Sequence, residues 1–205
     1  MIGHFPSLKM RRMVAFESLI EQDFLYILDY EQNVITFAEQ PIRLEYLWQG
    51  KIRHYTPDFH VVWLAGEGLV ECKPRQFVAS DENQRKFKAA DDWCKSQGWK
   101  FLVVTDEELR AGFRLKNIKL LTRYARTVVT PEMIPGILQR ISSNGAPITL
   151  LEAAKLVQPD HIDQGMAMLL HLAFYHWIGL PLERAPISEA TLVEITRRQY
   201  EYLPV

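Results

Sequence analysis

Two short apolar segments joined by a glycine-containing turn constrain the fold of this chain more than any other feature of its sequence. Residues 59–64 and 69–72 are largely apolar, and Ala65-Gly66-Glu67-Gly68 separates them. Apolar runs of this length on either side of a glycine turn are typical of a β-hairpin. Charged residues stand at the open end of the predicted hairpin, so pairing of the two strands would bring them together.

Three charged side chains stand at that open end: Asp58 before the first strand, and Glu71 and Lys73 at the end of the second. Because side chains alternate along a strand, Glu71 and Lys73 share one face, whereas Cys72 points to the other face and into the core. Carboxylate oxygens are the ligands that Mg²⁺ prefers, and the lysine adds a cation beside them. The pattern therefore predicts a metal site suited to phosphodiester hydrolysis.

The segments around this hairpin predict a mixed α/β core. Apolar residues at helical spacing predict a helix over 17–30. Ser80 as N-cap and Gly98 as terminator predict a second helix over Asp81–Gln97. Short strands are predicted at 33–37, 42–48, 52–55, 59–64, 69–72 and 101–105.

The sequence after residue 110 predicts helices. Residues 111–145 form a predicted helical connection, and residues 146–205 have the short helices and proline-punctuated extended segments of a winged-helix-like domain. A plain helical cap on the core is the alternative. The last helix of the region 146–205 is predicted to begin near Ser188. The region 146–205 carries four basic and seven acidic residues, so we expect it to contact a protein partner rather than to read DNA.

Composition excludes several classes of protein. The chain has 205 residues, 48% of them hydrophobic, and no apolar run approaches the roughly 20 residues of a membrane helix. The N-terminal residues are basic without an apolar core, which argues against a secretory signal. Cys72 and Cys94 alone make neither a disulfide framework nor a zinc site, so a cytoplasmic location is expected. The net charge of −1 means that any contact with nucleic acid must come from local patches.

The charged cluster also carries a family likeness. Tyr55-Thr56-Pro57-Asp58-Phe59 followed by Glu71-Cys72-Lys73 resembles the PD-(D/E)xK signature of restriction-type endonucleases. The segment 17–30 and the run Glu39-Gln40-Pro41 precede it in an order and spacing similar to the N-terminal domain of TnsA-type transposon endonucleases. The likeness extends over about residues 17–105.

This resemblance implies a fold and a set of site residues. The fold is α/β: a restriction-endonuclease-like mixed sheet flanked by helices over residues 1–110, with a basic arm at 1–15, and a small C-terminal winged-helix-like domain. The implied catalytic residues are Glu21, Asp58, Glu71 and Lys73, with Glu17 as the alternative to Glu21. The implied metal ligands are Asp58, Glu71, the backbone carbonyl of Cys72, and Glu21. The implied cofactor is Mg²⁺, replaceable by Mn²⁺, with two ions when DNA is bound.

The resemblance also implies a reaction and partners. It predicts an endonuclease subunit of a transposition system that cuts the 5′ ends of the transposon, while a DDE transposase cuts and joins the 3′ ends. An AAA+ ATPase regulator is expected to bind the C-terminal domain, and the protein is expected in the bacterial cytoplasm, at the nucleoid when active. A stand-alone restriction or repair nuclease, or a non-catalytic adaptor with a nuclease fold, are the alternatives. The predicted DNA contacts are Arg75, Gln76, Arg85 and Lys86.

Overall fold

The structure is a computed structural model that describes residues 3–144 and 147–195. The chain divides after residue 111 into two compact units. None of the helices in the described ranges has the length and apolarity needed to cross a membrane. The first unit contains β1 (Gly3–Ser7), β2 (Arg12–Phe16), α1 (Leu19–Tyr30), β3 (Val34–Glu39), β4 (Leu44–Trp48), β5 (Lys51–Tyr55), β6 (Phe59–Trp63), β7 (Gly66–Lys73), α2 (Arg75–Val78), α3 (Asp81–Gln97), β8 (Lys100–Thr105) and α4 (Asp106–Arg110).

The centre of the first unit is a four-stranded mixed sheet in the order β3-β6-β7-β8. The first three strands pair antiparallel, and β8 runs parallel to β7 after the crossover through α3. Val70 and Cys72 of β7 lie in a hydrophobic cluster with α1, whereas Leu69 lies in a cluster with α3. Because alternate residues of one strand contact different helices, the sheet is covered on both faces. The predicted mixed α/β core with flanking helices is confirmed.

Local sequence signals explain where the two long helices begin and end. Ser18 caps α1 by accepting a hydrogen bond from the Glu21 N–H, and Ser80 caps α3 by accepting one from Asn83. Gly98 ends α3 with a φ of 73°, a left-handed conformation that favours glycine. The predicted helix Asp81–Gln97 is confirmed at both ends.

The segment predicted to be a basic arm forms the β1–β2 hairpin. Hydrogen bonds hold the turn of this hairpin against the C-terminal end of α1. Asp29 accepts hydrogen bonds from the Ser7 hydroxyl at 2.5 Å and from the Lys9 backbone N–H at 3.0 Å. The Lys9 ammonium donates to the carbonyl oxygens of Leu28 and Val34, each at 2.8 Å, and to that of Glu31. The bonds to Leu28 and Glu31 satisfy carbonyl groups at the C-terminal end of α1, the helix that carries Glu21, and the bond to Val34 ties the turn to the start of β3.

The second unit combines helices with a small three-stranded sheet of order β10-β11-β9. The predicted connection, residues 111–145, supplies its first two helices. The described part of the chain does not include Gly145, Ala146 or residues 196–205. Three of the charged residues counted in the predicted C-terminal domain, Arg197, Arg198 and Glu201, are therefore outside it. The elements are α5 (Arg114–Tyr124), α6 (Met133–Ser143), β9 (Ile148–Thr149), α7 (Leu150–Val157), α8 (Ile162–Phe174), β10 (Ile178–Gly179) and β11 (Leu192–Ile195).

The prediction of a last helix from Ser188 is wrong over the described residues. Ser188 enters a turn closed by a bond from the Thr191 N–H to its carbonyl, and strand β11 follows. β11 pairs antiparallel with both β9 and β10. The pairing partners are distant in sequence, so the backbone hydrogen bonds of a sheet replace those of the predicted helix.

Candidate active site

Asp58 stands immediately before β6, and its side chain lies against the end of β7. Its Oδ2 accepts a 2.7 Å hydrogen bond from the backbone N–H of Cys72. Its own carbonyl oxygen accepts a 2.8 Å bond from the N–H of Gln40, at the end of β3. Backbone groups of the two neighbouring strands therefore hold Asp58 in place.

Glu71 is the most deeply buried of the predicted site residues, with 3% of its surface exposed. Its Oε1 forms a 2.7 Å ion pair with the ammonium of Lys73. Its Oε2 accepts a 2.7 Å hydrogen bond from the phenolic hydroxyl of Tyr55, the last residue of β5. Both oxygens thus have a partner, which compensates for the loss of water around a buried carboxylate.

Glu21 lies in the first turn of α1 and is also buried. Its Oε2 accepts a 2.8 Å hydrogen bond from the backbone N–H of Glu17. The side chain of Glu17 is instead bound by the Gln40 amide, with 2.9 Å between Nε2 and Oε1. The negative charge of Glu21 contributes to the raised pKa of Asp58. Glu21 therefore acts on a strand acid, whereas the side chain of Glu17 is held by Gln40.

The three carboxylates repel one another, and the pKa of Asp58 reports this. Burial, followed by the charge of Glu71 and then that of Glu21, raises the pKa of Asp58 to about 8, against the opposing effects of the Cys72 N–H and of Lys73. With three acidic side chains and a single adjacent lysine, the site has an excess of negative charge. Such a site favours an additional cation.

Lys73 keeps its positive charge in this site. Burial lowers its pKa, but the hydrogen bond and charge of Glu71, with the charges of Asp58 and Glu21, more than offset that effect and raise the pKa overall. The lysine is therefore an ammonium at neutral pH, able to donate hydrogen bonds but not to accept a proton.

The backbone of Cys72 contacts the site, whereas its side chain lies in the hydrophobic core. Its side chain lies in the cluster with α1, away from the faces of Glu71 and Lys73, as the strand alternation predicts. Burial, with the charges of Asp58, Glu21 and Glu71, raises the pKa of its thiol well above the ordinary value. The thiol is consequently not a nucleophile. Cys72 contacts the site through its backbone N–H, which donates a hydrogen bond to Asp58.

The carboxylates of the site are the kind of side chain that binds a divalent metal ion. Across residues 3–144 and 147–195, no three His, Cys, Asp or Glu side chains are grouped as a ready-made metal site. Asp58 and Glu71 form a pair of carboxylates, which suits Mg²⁺, because this ion is commonly held by one or two carboxylates with water and substrate phosphates. The repulsion that raises the pKa of Asp58 is what a divalent cation would relieve. The two carboxylates therefore have the chemistry to hold a divalent cation of this kind.

The four predicted DNA contacts fall into two groups. Arg75 and Gln76 are exposed in α2, directly after β7, and the backbone N–H of Arg75 donates to Asp106 at 2.9 Å. Arg85 lies in α3 with its guanidinium 3.7 Å from the ring centroid of Trp48. Lys86 forms a 2.6 Å ion pair with Glu82, one turn earlier in the same helix. The α2 side chains are thus the more available pair.

Sequence reasoning missed Tyr55 and left open the role of Gln40. Tyr55 lies in the same Tyr-Thr-Pro-Asp run as Asp58, which was the available signal. Its contact with Glu71 depends on how the β4–β5 hairpin sits on the sheet, and strand spacing does not predict that placement. Gln40 has a φ of 43°, and left-handed backbone at a residue other than glycine is a sign of a constrained site.

Comparison with known proteins gives one family. Residues 31–106 match the family model described as TnsA-like endonuclease N terminal. The matched segment contains Asp58, Glu71 and Lys73, and it begins after Glu21. The resemblance to TnsA-type endonucleases is therefore confirmed over these residues, which form the mixed sheet and α3. Among curated proteins, none matches the chain.

Proposed function

We propose that this protein is the metal-dependent DNA endonuclease subunit of a transposition system. The observation that carries the proposal is the contact of Glu71 with Lys73 beside Asp58, inside the segment that matches the endonuclease family. Glu21, from a helix that precedes the matched segment, supports it further, because its charge acts on the same Asp58.

The proposed metal ligands are Asp58 and Glu71, with Glu21 and the backbone carbonyl of Cys72 as additional donors. Mg²⁺ is the proposed ion, Mn²⁺ its substitute, and a second ion is expected when DNA is bound. When bound, the metal polarises the scissile phosphate and lowers the pKa of water. Tyr55 and Lys73 hold the Glu71 carboxylate from its two oxygens, and Gln40 fixes the backbone that carries Asp58.

Lys73 is proposed to stabilise negative charge on the phosphate. Its raised pKa keeps it protonated, so it acts as a hydrogen-bond donor and cation rather than as a base. In the proposed hydrolysis, a water oxygen forms a bond to phosphorus and the bond from phosphorus to the 3′ oxygen breaks. The products carry a 5′-phosphate and a 3′-hydroxyl, and the leaving oxygen gains a proton.

We propose cleavage at the 5′ ends of a transposon, with a DDE transposase acting at the 3′ ends. The second unit is proposed to be winged-helix-like, supported by the helices α6, α7 and α8 and the sheet order β10-β11-β9. Helix α8 contains no lysine or arginine, and its exposed residues include Asp163 and Gln164. This composition favours a protein over DNA, and we propose an AAA+ ATPase regulator as the partner.

The test uses the full chain and begins with the metal. Calorimetry with Mn²⁺ should give saturable binding that Asp58→Asn and Glu71→Gln each weaken at least tenfold. Glu67→Gln is the matched control, because Glu67 lies in the same strand and contacts His60 at 2.9 Å instead of the site. The variants that bind metal poorly should then fail to nick transposon-end DNA in the reconstituted assembly.

Other outcomes would assign a different function. Metal-dependent cutting of plain duplex without partners would indicate a stand-alone nuclease. Binding of DNA or of the regulator, with neither metal binding nor nicking in the full assembly, would indicate a non-catalytic adaptor and refute the proposal.

A further inference from the structure

The β4–β5 hairpin is a separate two-stranded sheet whose base reaches the candidate active site. At the base, Tyr55 is buried and donates to Glu71. At the tip, the cross-strand pair Leu47 and Ile52 is 74% and 65% exposed. The turn residues Gln49 and Gly50 both have positive φ, as two-residue hairpin turns require. The hairpin therefore extends from the site into solvent.

Three exposed basic residues lie in or directly beside the β4–β5 hairpin. Arg43, Lys51 and Arg53 are exposed, and within the described residues none of them forms an ion pair or a hydrogen bond through its side chain. The one acidic residue of the hairpin, Glu45, lies 3.5 Å from His54.

The cations of α3 are different, because acids of the same helix pair with them. Lys86, Lys88 and Lys95 each lie within 3.0 Å of a carboxylate one turn away. An exposed helix with matched charges of this kind is solvated and needs no partner. The unmatched charges of the hairpin instead complement a polyanion.

Strand alternation places the basic side chains on one face of the hairpin, with aromatic residues. Lys51 pairs with Trp48, and Arg53 pairs with Tyr46, on the same face as the buried Tyr55. The guanidinium of Arg85, which belongs to α3 and also reaches Asp81 at 4.0 Å, lies over the Trp48 ring of this face. Basic groups interleaved with aromatic rings are typical of nucleic-acid interfaces.

Electrostatics connect this face to the reactive groups. The pKa of Glu82, at the start of α3, is lowered by its hydrogen bond to Lys86, and the charges of Lys73 and Arg53 add to the effect. The hairpin also links the two cations in space, because Arg53 shares a face with Tyr55, whose hydroxyl bonds to Glu71, the ion-pair partner of Lys73. A phosphate backbone bound at Lys73 can therefore continue along the hairpin.

We propose that the β4–β5 hairpin is a DNA-binding ribbon, with Lys51 and Arg53 contacting the phosphates that flank the one to be cut. This inference rests on the proposed nuclease function and names the surface that positions its substrate. A two-stranded ribbon is of a size that lies along a DNA groove, and phosphate contacts fix the register of a protein on the duplex. We assign DNA as the ligand of the hairpin, because the unpaired side chains of the hairpin are positively charged and lie beside the candidate active site.

The test measures binding of the full chain to a fluorescent 30-base-pair duplex by anisotropy, with Ca²⁺ in place of Mg²⁺. The double variant Lys51→Gln with Arg53→Gln should weaken binding about tenfold and reduce the slope of log K against log salt by about two, one for each lost phosphate contact. The matched control is Lys88→Gln with Lys95→Gln, which removes the same charge from α3 and should change both quantities much less.

Two outcomes would overturn the hairpin proposal: equal losses in the two double variants, or an unchanged affinity and salt slope in the hairpin variant. A loss of DNA binding on Leu47→Ser with Ile52→Ser, without any loss on removal of the two charges, would also overturn it and would assign the DNA contact to the apolar tip of the hairpin. Calorimetry with Mn²⁺ separates this proposal from the function on which it rests. Normal metal binding by the hairpin variant with unchanged DNA affinity would refute the ribbon and leave the nuclease standing.

Discussion

The phenolic hydroxyl of Tyr55 donates a 2.7 Å hydrogen bond to Oε2 of Glu71 and so joins the β4–β5 hairpin to the candidate active site. Lys73 occupies the other oxygen of the same carboxylate at 2.7 Å. Glu71 is thus held from both sides by residues of two different sheets. The orientation of this proposed ligand depends on the hairpin as well as on its own strand.

We expect Tyr55→Phe to weaken Mn²⁺ binding and to lower cleavage about tenfold, because Glu71 loses one of the two bonds that orient it. The stability cost should be about 1–3 kcal/mol, since a buried carboxylate oxygen is left without its hydrogen-bond donor. Calorimetry, nicking assays and urea unfolding measure the three quantities. Tyr46→Phe, in the partner strand of the hairpin, serves as control for removal of a hydroxyl and should leave metal binding unchanged.

Lys73→Ala should abolish cleavage while metal binding is retained, because removal of a neighbouring positive charge favours the bound cation and offsets the loss of one of the two bonds that orient Glu71. It should also destabilise the metal-free protein, since the buried carboxyl group of Glu71 loses its cationic partner. The loss should be below the roughly 3–5 kcal/mol of fully buried pairs, because Lys73 is partly exposed.

Urea unfolding with and without Mn²⁺ checks this expectation, and added Mn²⁺ should recover part of the lost stability by supplying positive charge. Lys86→Ala, which breaks an ion pair with the largely exposed Glu82, should cost much less than Lys73→Ala. Equal losses in the two variants, or normal cleavage by Lys73→Ala, would contradict the assigned role.

Gln40 is expected to position the site through both its backbone and its side chain. Its N–H holds the Asp58 carbonyl, and its amide holds Glu17, whose own N–H binds Glu21. Gln40→Gly would relieve the left-handed backbone, worth about 1 kcal/mol, but would remove the side-chain bond. We expect several-fold slower cleavage with little change in stability.

The matched control for Gln40 is Arg11→Gly, which relieves a similar φ of 52° in the β1–β2 turn. This variant should gain up to about 1 kcal/mol and cut normally. If Gln40→Gly also cut at the normal rate, its contacts would be structural only.

The sequence predicted those parts of the site that depend on local spacing. The alternation along β7 puts Glu71 and Lys73 on one face and Cys72 on the other, and the capping residues Ser80 and Gly98 bound α3. The hydroxyl of Tyr55 was not predicted, because its contact depends on the docking of one sheet on another. Similarly, β11 was mistaken for a helix, because its hydrogen bonds come from strands far away in the sequence.

The ion pair of Arg12 with Glu39 should make stability depend on acid pH. Both guanidinium nitrogens reach the carboxylate, at 2.7 and 2.5 Å, and this hydrogen bonding lowers the pKa of Glu39 from its ordinary 4.5 to about 2, despite partial burial. Between those values the unfolded chain binds a proton that the folded chain does not. The stability from this pair is therefore present above pH 4.5 and is lost as the pH falls towards 2.

Urea unfolding between pH 2 and 6 tests this pair through three proteins: the wild type, Arg12→Met and Glu39→Gln. The wild type should lose more stability than either variant as the pH falls, because Arg12→Met returns the pKa of Glu39 towards its ordinary value and Glu39→Gln removes the titrating group. The difference should shrink in 1 M salt, since both side chains are partly exposed and salt screens them. Parallel pH profiles for the three proteins would show that the pair, which joins the N-terminal hairpin to the central sheet, contributes nothing to acid stability.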